Sequence, residues 1–162
     1  TIESNIKYAN ENISDEKMQQ AAKIAQAVEF IDEKPEKYES EIAQGGNNVS
    51  GGQKQRLAIA RAIAKDPEIF VFDDSFSALD FKTDATLREA LAKNTKNKTS
   101  IIVAQRISTI LNADKIIVLD DGKIVGQGTH EELMKNNEVY REIALSQLSE
   151  QELMQNKDER RE

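Results

Sequence analysis

The sequence predicts an α/β fold in which a helical segment leads into a mostly parallel sheet with a terminal hairpin. Three observations carry that prediction. Apolar residues recur at helical spacing between residues 14 and 31. Short apolar runs (Ile69 to Phe72, Ser100 to Ala104, Lys115 to Leu119) then alternate with helical stretches, as in parallel strands joined by crossover helices. Asp121-Gly122 stands between the last run and Lys123 to Gly126 and is a two-residue hairpin turn signal.

Taken in order, residues 1 to 48 form a polar, helical subdomain. Ser14 can cap a helix with Asp15 and Glu16 in its first turn, where they suit the dipole. Met18, Ala21, Ala22, Ala25, Val28 and Ile31 supply a buried stripe, and Pro35 lies beyond it. Gln44-Gly45-Gly46-Asn47-Asn48 is a loop by composition. A second region, 49 to 147, opens with a helix from about Ser50 to Ala64. Pro67 closes the connection to Ile69-Phe70-Val71-Phe72, read as a short buried strand. A helix near Lys82 to Lys93 precedes a second buried strand, and a short helix near Ile107 to Leu111 precedes the third. Two helices, starting at Thr129 and near Glu138, close the region. Residues 148 to 162 are a polar tail expected to fray.

Composition narrows the classes of function. At 162 residues, with 38% hydrophobic and 31% charged, the chain suits one globular domain. Twenty-two basic against 29 acidic residues leave a net charge of -7, which disfavours nucleic acid as a partner. There is no cysteine, so disulfides and thiolate metal sites are excluded. The purest apolar runs are four residues long, against the roughly 20 that a spanning helix needs. The first residue is Thr1, and the chain is expected to be a soluble piece of something longer.

Ser50-x-x-Gln53 has the spacing of a capping box. On spacing alone that ordinary role would be enough. Gly51 and Gly52 add something, because each costs a helix interior about 1 kcal/mol relative to Ala. Two adjacent glycines suit a backbone that something must approach closely, and a helix N-terminus favours an anion such as phosphate. Followed by Lys54-Gln55-Arg56-Leu57-Ala58-Ile59-Ala60-Arg61, the segment Val49-Ser-Gly-Gly-Gln-Lys-Gln-Arg56 resembles the signature motif of ATP-binding-cassette transporters.

The resemblance extends from Thr1 to about Gln147 and implies part of a P-loop-NTPase-like nucleotide-binding domain, of the multidrug-exporter type. It implies that Ser50, Gly51, Gly52 and Gln53 contact ATP held by an opposing subunit. It puts Ser40 to Gly46 at the loop that meets the transmembrane domains of such exporters. The opening Thr1-Ile2-Glu3-Ser4-Asn5-Ile6 resembles the segment just after the family's glutamine-bearing loop, and that glutamine is expected upstream.

Ile69 to Phe72 ends in two carboxylates, Asp73 and Asp74. An Asp at the C-terminal end of such a strand can hold Mg2+ on nucleotide phosphates, and a solvated turn is the plain alternative. The resemblance assigns the Mg2+ role to Asp73. Active members follow it with a Glu that polarises the attacking water, whereas this chain has the shorter Asp74. Ser77-Ala78-Leu79-Asp80 resembles the loop that couples the two ATP sites, although Asp80 would also serve as a plain helix cap. After Ile101 to Ala104 the family usually places a His, and here it is Gln105. Gln can donate to a phosphate but cannot take and return a proton. The lone His130 lies in a second capping box, Thr129-His-Glu-Glu132, which accounts for it.

An intact signature beside Asp74 and Gln105 resembles the degenerate-site subunit of a heterodimeric exporter, on the cytoplasmic face of the cell membrane. The G-x-x-x-x-G-K-[ST] loop does not occur; Gly122-Lys123 is followed by Ile124. The adenine-stacking aromatic is expected upstream of that loop. The isolated chain is therefore expected to bind MgATP weakly or not at all, and to expose apolar surface that the rest of the sheet would cover. Two other readings compete. One is an ATPase head of a DNA-maintenance protein, disfavoured by acidic charge and by the transporter-like stretch Lys115 to Glu132. The other is a non-catalytic interaction domain, which would explain the missing phosphate loop. The transported substrate is not written in these residues.

Overall fold

The computed structural model describes residues 1–8 and 10–147. It divides the chain into two compact units, Thr1–Val103 and the part from Ala104 onward. The tail from residue 148, expected to fray, lies outside the described residues.

The first unit contains helices α1 (Ile2–Lys7), α2 (Asp15–Ile24), α3 (Val28–Asp32), α4 (Gly51–Lys65) and α5 (Phe81–Asn94), with strands β1 (Ile69–Asp73) and β2 (Thr99–Val103). Three of the helix starts have a local cause. Ser14 accepts from the Lys17 amide and starts α2, Ser50 caps α4, and Asp80 caps α5. The stripe from Met18 to Ile31 predicts continuous burial, and Met18, Ala21, Ala22, Ala25 and Ile31 are indeed buried. It does not lie on one helix. Gln26 takes φ 56, and the Ala27 amide reaches back to the Ala22 carbonyl at 2.8 Å. That bond closes α2 with a left-handed cap and starts α3 in a new direction.

A single apolar cluster runs from Ile2 through Met18, Ile31, Ile59 and Phe72 to Leu87. Two arginines of α4 add polar ties. Arg61 donates to the Asn5 carbonyl at 2.9 Å and to its side-chain oxygen at 3.0 Å, fastening α1. Arg56 donates to the Gln26 carbonyl at 2.8 Å and lies 4.8 Å from the centre of the Phe30 ring, fastening α3 and the left-handed cap.

Strands β1 and β2 pair in parallel, with Val71 opposite Ile101 and Asp73 opposite Val103. Only one face is covered. Phe70 and Phe72 point into the core, while Ile69, Val71, Ile101 and Val103 are 57%, 65%, 52% and 53% exposed. The expectation of buried strands is corrected on this point: alternation sends every second side chain to the open face, where no layer lies against it among the described residues.

The second unit contains α6 (Ile107–Ile110), β3 (Ile116–Asp120), β4 (Lys123–Gly128), α7 (His130–Asn136) and α8 (Glu138–Gln147). Asp121 and Gly122 take φ 44 and φ 71, the pair of positive values that a tight hairpin needs. Its core is Ile107, Ile116, Val118, Leu133, Tyr140 and Ala144.

The α/β class stands. The sheet is discontinuous among the described residues: one parallel pair, β1–β2, and one antiparallel pair, β3–β4. The physical reason is proximity in sequence. β4 lies two residues beyond β3 and closes with little loop entropy.

Candidate functional site

The Ser50 to Gln53 segment forms the N-terminus of α4. The Gln53 amide donates to Ser50 Oγ at 3.2 Å, and Gln53 Oε1 accepts from the Ser50 amide at 3.0 Å, so the capping box is complete. The two glycines are explained in part by the chain itself. A Cβ on Gly52 would stand 3.0 Å from the Ala78 carbonyl oxygen, and one on Gly51 would stand 3.5 Å from Ala78 Cβ. The segment 77–80 thus packs on the first turn of α4, and close approach at Gly52 is an intramolecular requirement. Ser50 and Gly51 remain exposed, leaving the start of the 15-residue helix open to an anion.

Lys54 points back to the loop before the helix. Its Nζ donates to the Gly45 carbonyl at 2.9 Å, where Gly45 and Gly46 take φ 74 and φ 68. Asn48 closes the same loop by accepting from the Ala43 amide and donating to the Glu41 carbonyl. The loop expected near the transmembrane domains is therefore tied directly to the signature helix.

Asp73 ends β1 with an exposed carboxylate, and Asp74 follows with φ 48. A left-handed backbone costs an ordinary L-residue about 1–2 kcal/mol, somewhat less for Asp. Three bonds hold it there. The Asp74 amide donates to the Val103 carbonyl at 3.2 Å; its own carbonyl accepts from Gln55 Nε2 and from Ser77 Oγ, both at 3.1 Å. Such over-determined strain is typical of functional turns.

Gln55 is the residue that motif reasoning passed over. Besides Asp74, its Nε2 donates to Ser77 Oγ at 3.1 Å, and its Oε1 accepts from the Ala78 amide at 2.9 Å. Both ends of one amide are used to join the signature helix to the acidic strand end and to the loop beyond it. The partners lie 19 to 23 residues away in sequence, so no local pattern announces them.

Asp80 closes that loop as the cap of α5. Its carboxylate accepts from the Thr83 amide at 2.9 Å and from Thr83 Oγ1 at 2.7 Å. These bonds, the backbone one first, hold its pKa below the usual aspartate range. The cap role is thus realised, and the coupling role stays a proposal.

Among the described residues no group of three or more His, Cys, Asp or Glu is placed to hold a metal. The exposed Asp73 carboxylate still fits an ion that arrives with nucleotide phosphates and keeps water ligands, as Mg2+ does.

Gln105 belongs to the second unit. Its side chain is exposed, and its carbonyl accepts from Gln147 Nε2 at 3.0 Å, while Gln147 Oε1 accepts from the Ile107 amide. α8 therefore holds the segment that bears Gln105. His130 lies beside the buried Tyr140, with Nδ1 2.8 Å from the phenol oxygen, and burial pushes that phenol up to about 12. Thr129 and Glu132 form the expected capping box, so His130 has a structural place.

An open helix N-terminus and a carboxylate-tipped strand thus stand side by side in one α/β unit. Comparison places it. Residues 1–77 match the family model for "ABC transporter". The chain is 44% identical over 147 residues to human ATP-binding cassette sub-family B member 5, covering 91% of this chain and 12% of that protein. It is 43% identical to ABC transporter B family member 4 of Dictyostelium discoideum, over 94% of this chain and 20% of the relative. A bacterial Atm1-family ABC exporter solved with ATP bound superposes with a TM-score of 0.87 at 37% identity, over 93% of this chain and 26% of that one. The chain is thus similar to ABC transporters, over residues 1–77 by the family model and over most of its length by these relatives. It spans only 12% and 20% of the lengths of these two curated relatives.

Proposed function

We propose that this chain is the C-terminal part of the ATP-binding subunit of an ABC exporter, in which a dimer of such domains couples ATP binding and hydrolysis to movement of a substrate across a membrane. The Ser50 to Gln53 turn addresses ATP held by the partner subunit. Asp73 meets Mg2+ and Asp74 the water at this chain's own site, with Gln105 toward the γ-phosphate. The loop at Ser40 to Gly46 faces the transmembrane part, on the cytoplasmic side. The exposed row Ile69, Val71, Ile101 and Val103 suits the missing sheet and phosphate-loop layer of the same domain.

The observation that carries this reading is an intact, open Ser50–Gly51–Gly52 helix start in the same chain as two departures, Asp74 and Gln105. A shortened carboxylate and a side chain that cannot relay a proton weaken one site. The signature loses nothing. The two therefore serve different nucleotides, and the partner is a different subunit with a competent site. Separate Ser50→Ala and Asp74→Ala substitutions in the full-length transporter test it. Ser50→Ala should lower ATP turnover about tenfold or more, as for a lost transition-state donor, and Asp74→Ala should leave most of it. The reverse pattern would sink the assignment.

A further inference from the structure

We infer that Gln55 is a positioning residue that transmits the placement of the signature helix to the backbone of Asp74, and so links the two nucleotide sites inside one chain. The inference rests on the two-site reading above and adds the connection between the sites. Gln55 lies one turn into α4, behind the Ser50 to Gln53 turn. Its Nε2 and Ser77 Oγ both converge on the Asp74 carbonyl, and the Nε2 also reaches Ser77 Oγ, closing a three-membered ring of hydrogen bonds at 3.1 Å. Its Oε1 holds the Ala78 amide at 2.9 Å, next to the carbonyl on which Gly52 packs. Asp74 sits at φ 48, a conformation that persists only while its surroundings impose it. A shift of α4 on engaging the partner's ATP therefore pulls on the carbonyl of the residue that faces the chain's own nucleotide.

The test uses the assembled, full-length transporter. Gln55→Met keeps the length and volume of the side chain and removes every hydrogen bond. It should leave KM for ATP within about twofold and lower kcat about tenfold, because the Ala78 bond that steadies the Gly52 turn is lost together with the Asp74 bond, the pattern of misplaced rather than missing binding groups. Gln55→Glu retains the acceptor for Ala78 but turns a carboxylate toward the Asp74 carbonyl, and should fall as far. Ser77→Ala opens the same ring from its other side. It also frees the 77–80 loop that packs on Gly52, so it should lower kcat with KM held, and it stands in if Gln55→Met does not assemble. Wild-type kcat in Gln55→Met, or a raised KM with kcat unchanged, overturns the positioning role. Ser50→Ala run alongside separates the failures. If that variant is silent, the two-site reading falls; if it lowers turnover about tenfold or more while Gln55→Met keeps wild-type kcat, the Gln55 role alone falls.

Discussion

Phe72→Ala lowers the stability of the first unit by about 3–5 kcal/mol, the range for truncating a buried aromatic. Phe72 is 4% exposed, its ring centre lies 5.8 Å from Phe70 and 5.4 Å from Phe76, and it anchors the strand that ends at Asp73 and Asp74. Removing it leaves a void between β1 and the following turn. The strand end can then close only by moving the two carboxylates. Denaturant unfolding of the purified chain reads the loss as a lower midpoint at unchanged slope. Val71→Ala is the control. That side chain is 65% exposed on the opposite face of the same strand, and its truncation should cost within about 0.5 kcal/mol. Equal effects at the two positions would mean that β1 is not covered on the Phe72 face as described.

Gly52→Val has a smaller effect on stability and a larger one on turnover. The new Cβ starts 3.0 Å from the Ala78 carbonyl oxygen and 3.6 Å from a Leu79 methyl, and valine adds two methyls beyond it. Either α4 or the 77–80 loop must give way, at a cost of about 1–3 kcal/mol for an overpacked contact. The same displacement blocks the open turn and moves its N–H groups, so turnover of the full-length transporter should fall about 100-fold, as when a preorganised donor is lost. Gly51→Ala is the contrasting variant. Its Cβ would meet only Ala78 Cβ at 3.5 Å, an ordinary contact, and unfolding should show little change. A Gly52→Val transporter with normal turnover would place the nucleotide contact elsewhere.

Much of this was legible in the sequence because the determinants are local. The capping boxes at Ser50 and Thr129, the hairpin at Asp121-Gly122 and the carboxylate-tipped β1 are each specified by residues within a few positions of one another. What failed to show needed tertiary information. The stripe from Met18 to Ile31 continues across a break because Val28 and Ile31 keep facing the core after the chain turns at Gln26. That left-handed cap carries no glycine to mark it. The strands looked buried because apolar runs do not reveal how many faces are covered. Gln55 was hidden for the plainest reason. Its amide acts through partners about 20 residues away, and a glutamine in the middle of a helix fits helix propensity with no further explanation. Asp74 was read by its side chain, whereas its backbone φ of 48 is what fixes where that side chain starts.

The division of labour between signature and carboxylate is tested most directly by vanadate trapping in the assembled transporter. Vanadate imitates the phosphoryl group in flight and locks ADP where hydrolysis has occurred, and a photoreactive ATP analogue then marks the subunit holding it. Trapped label should reside mainly on the partner subunit, should fall about tenfold or more with Ser50→Ala in this chain, and should survive Asp74→Ala. Label trapped chiefly on the subunit that carries Asp74, and lost with Asp74→Ala while Ser50→Ala leaves it in place, would contradict the account.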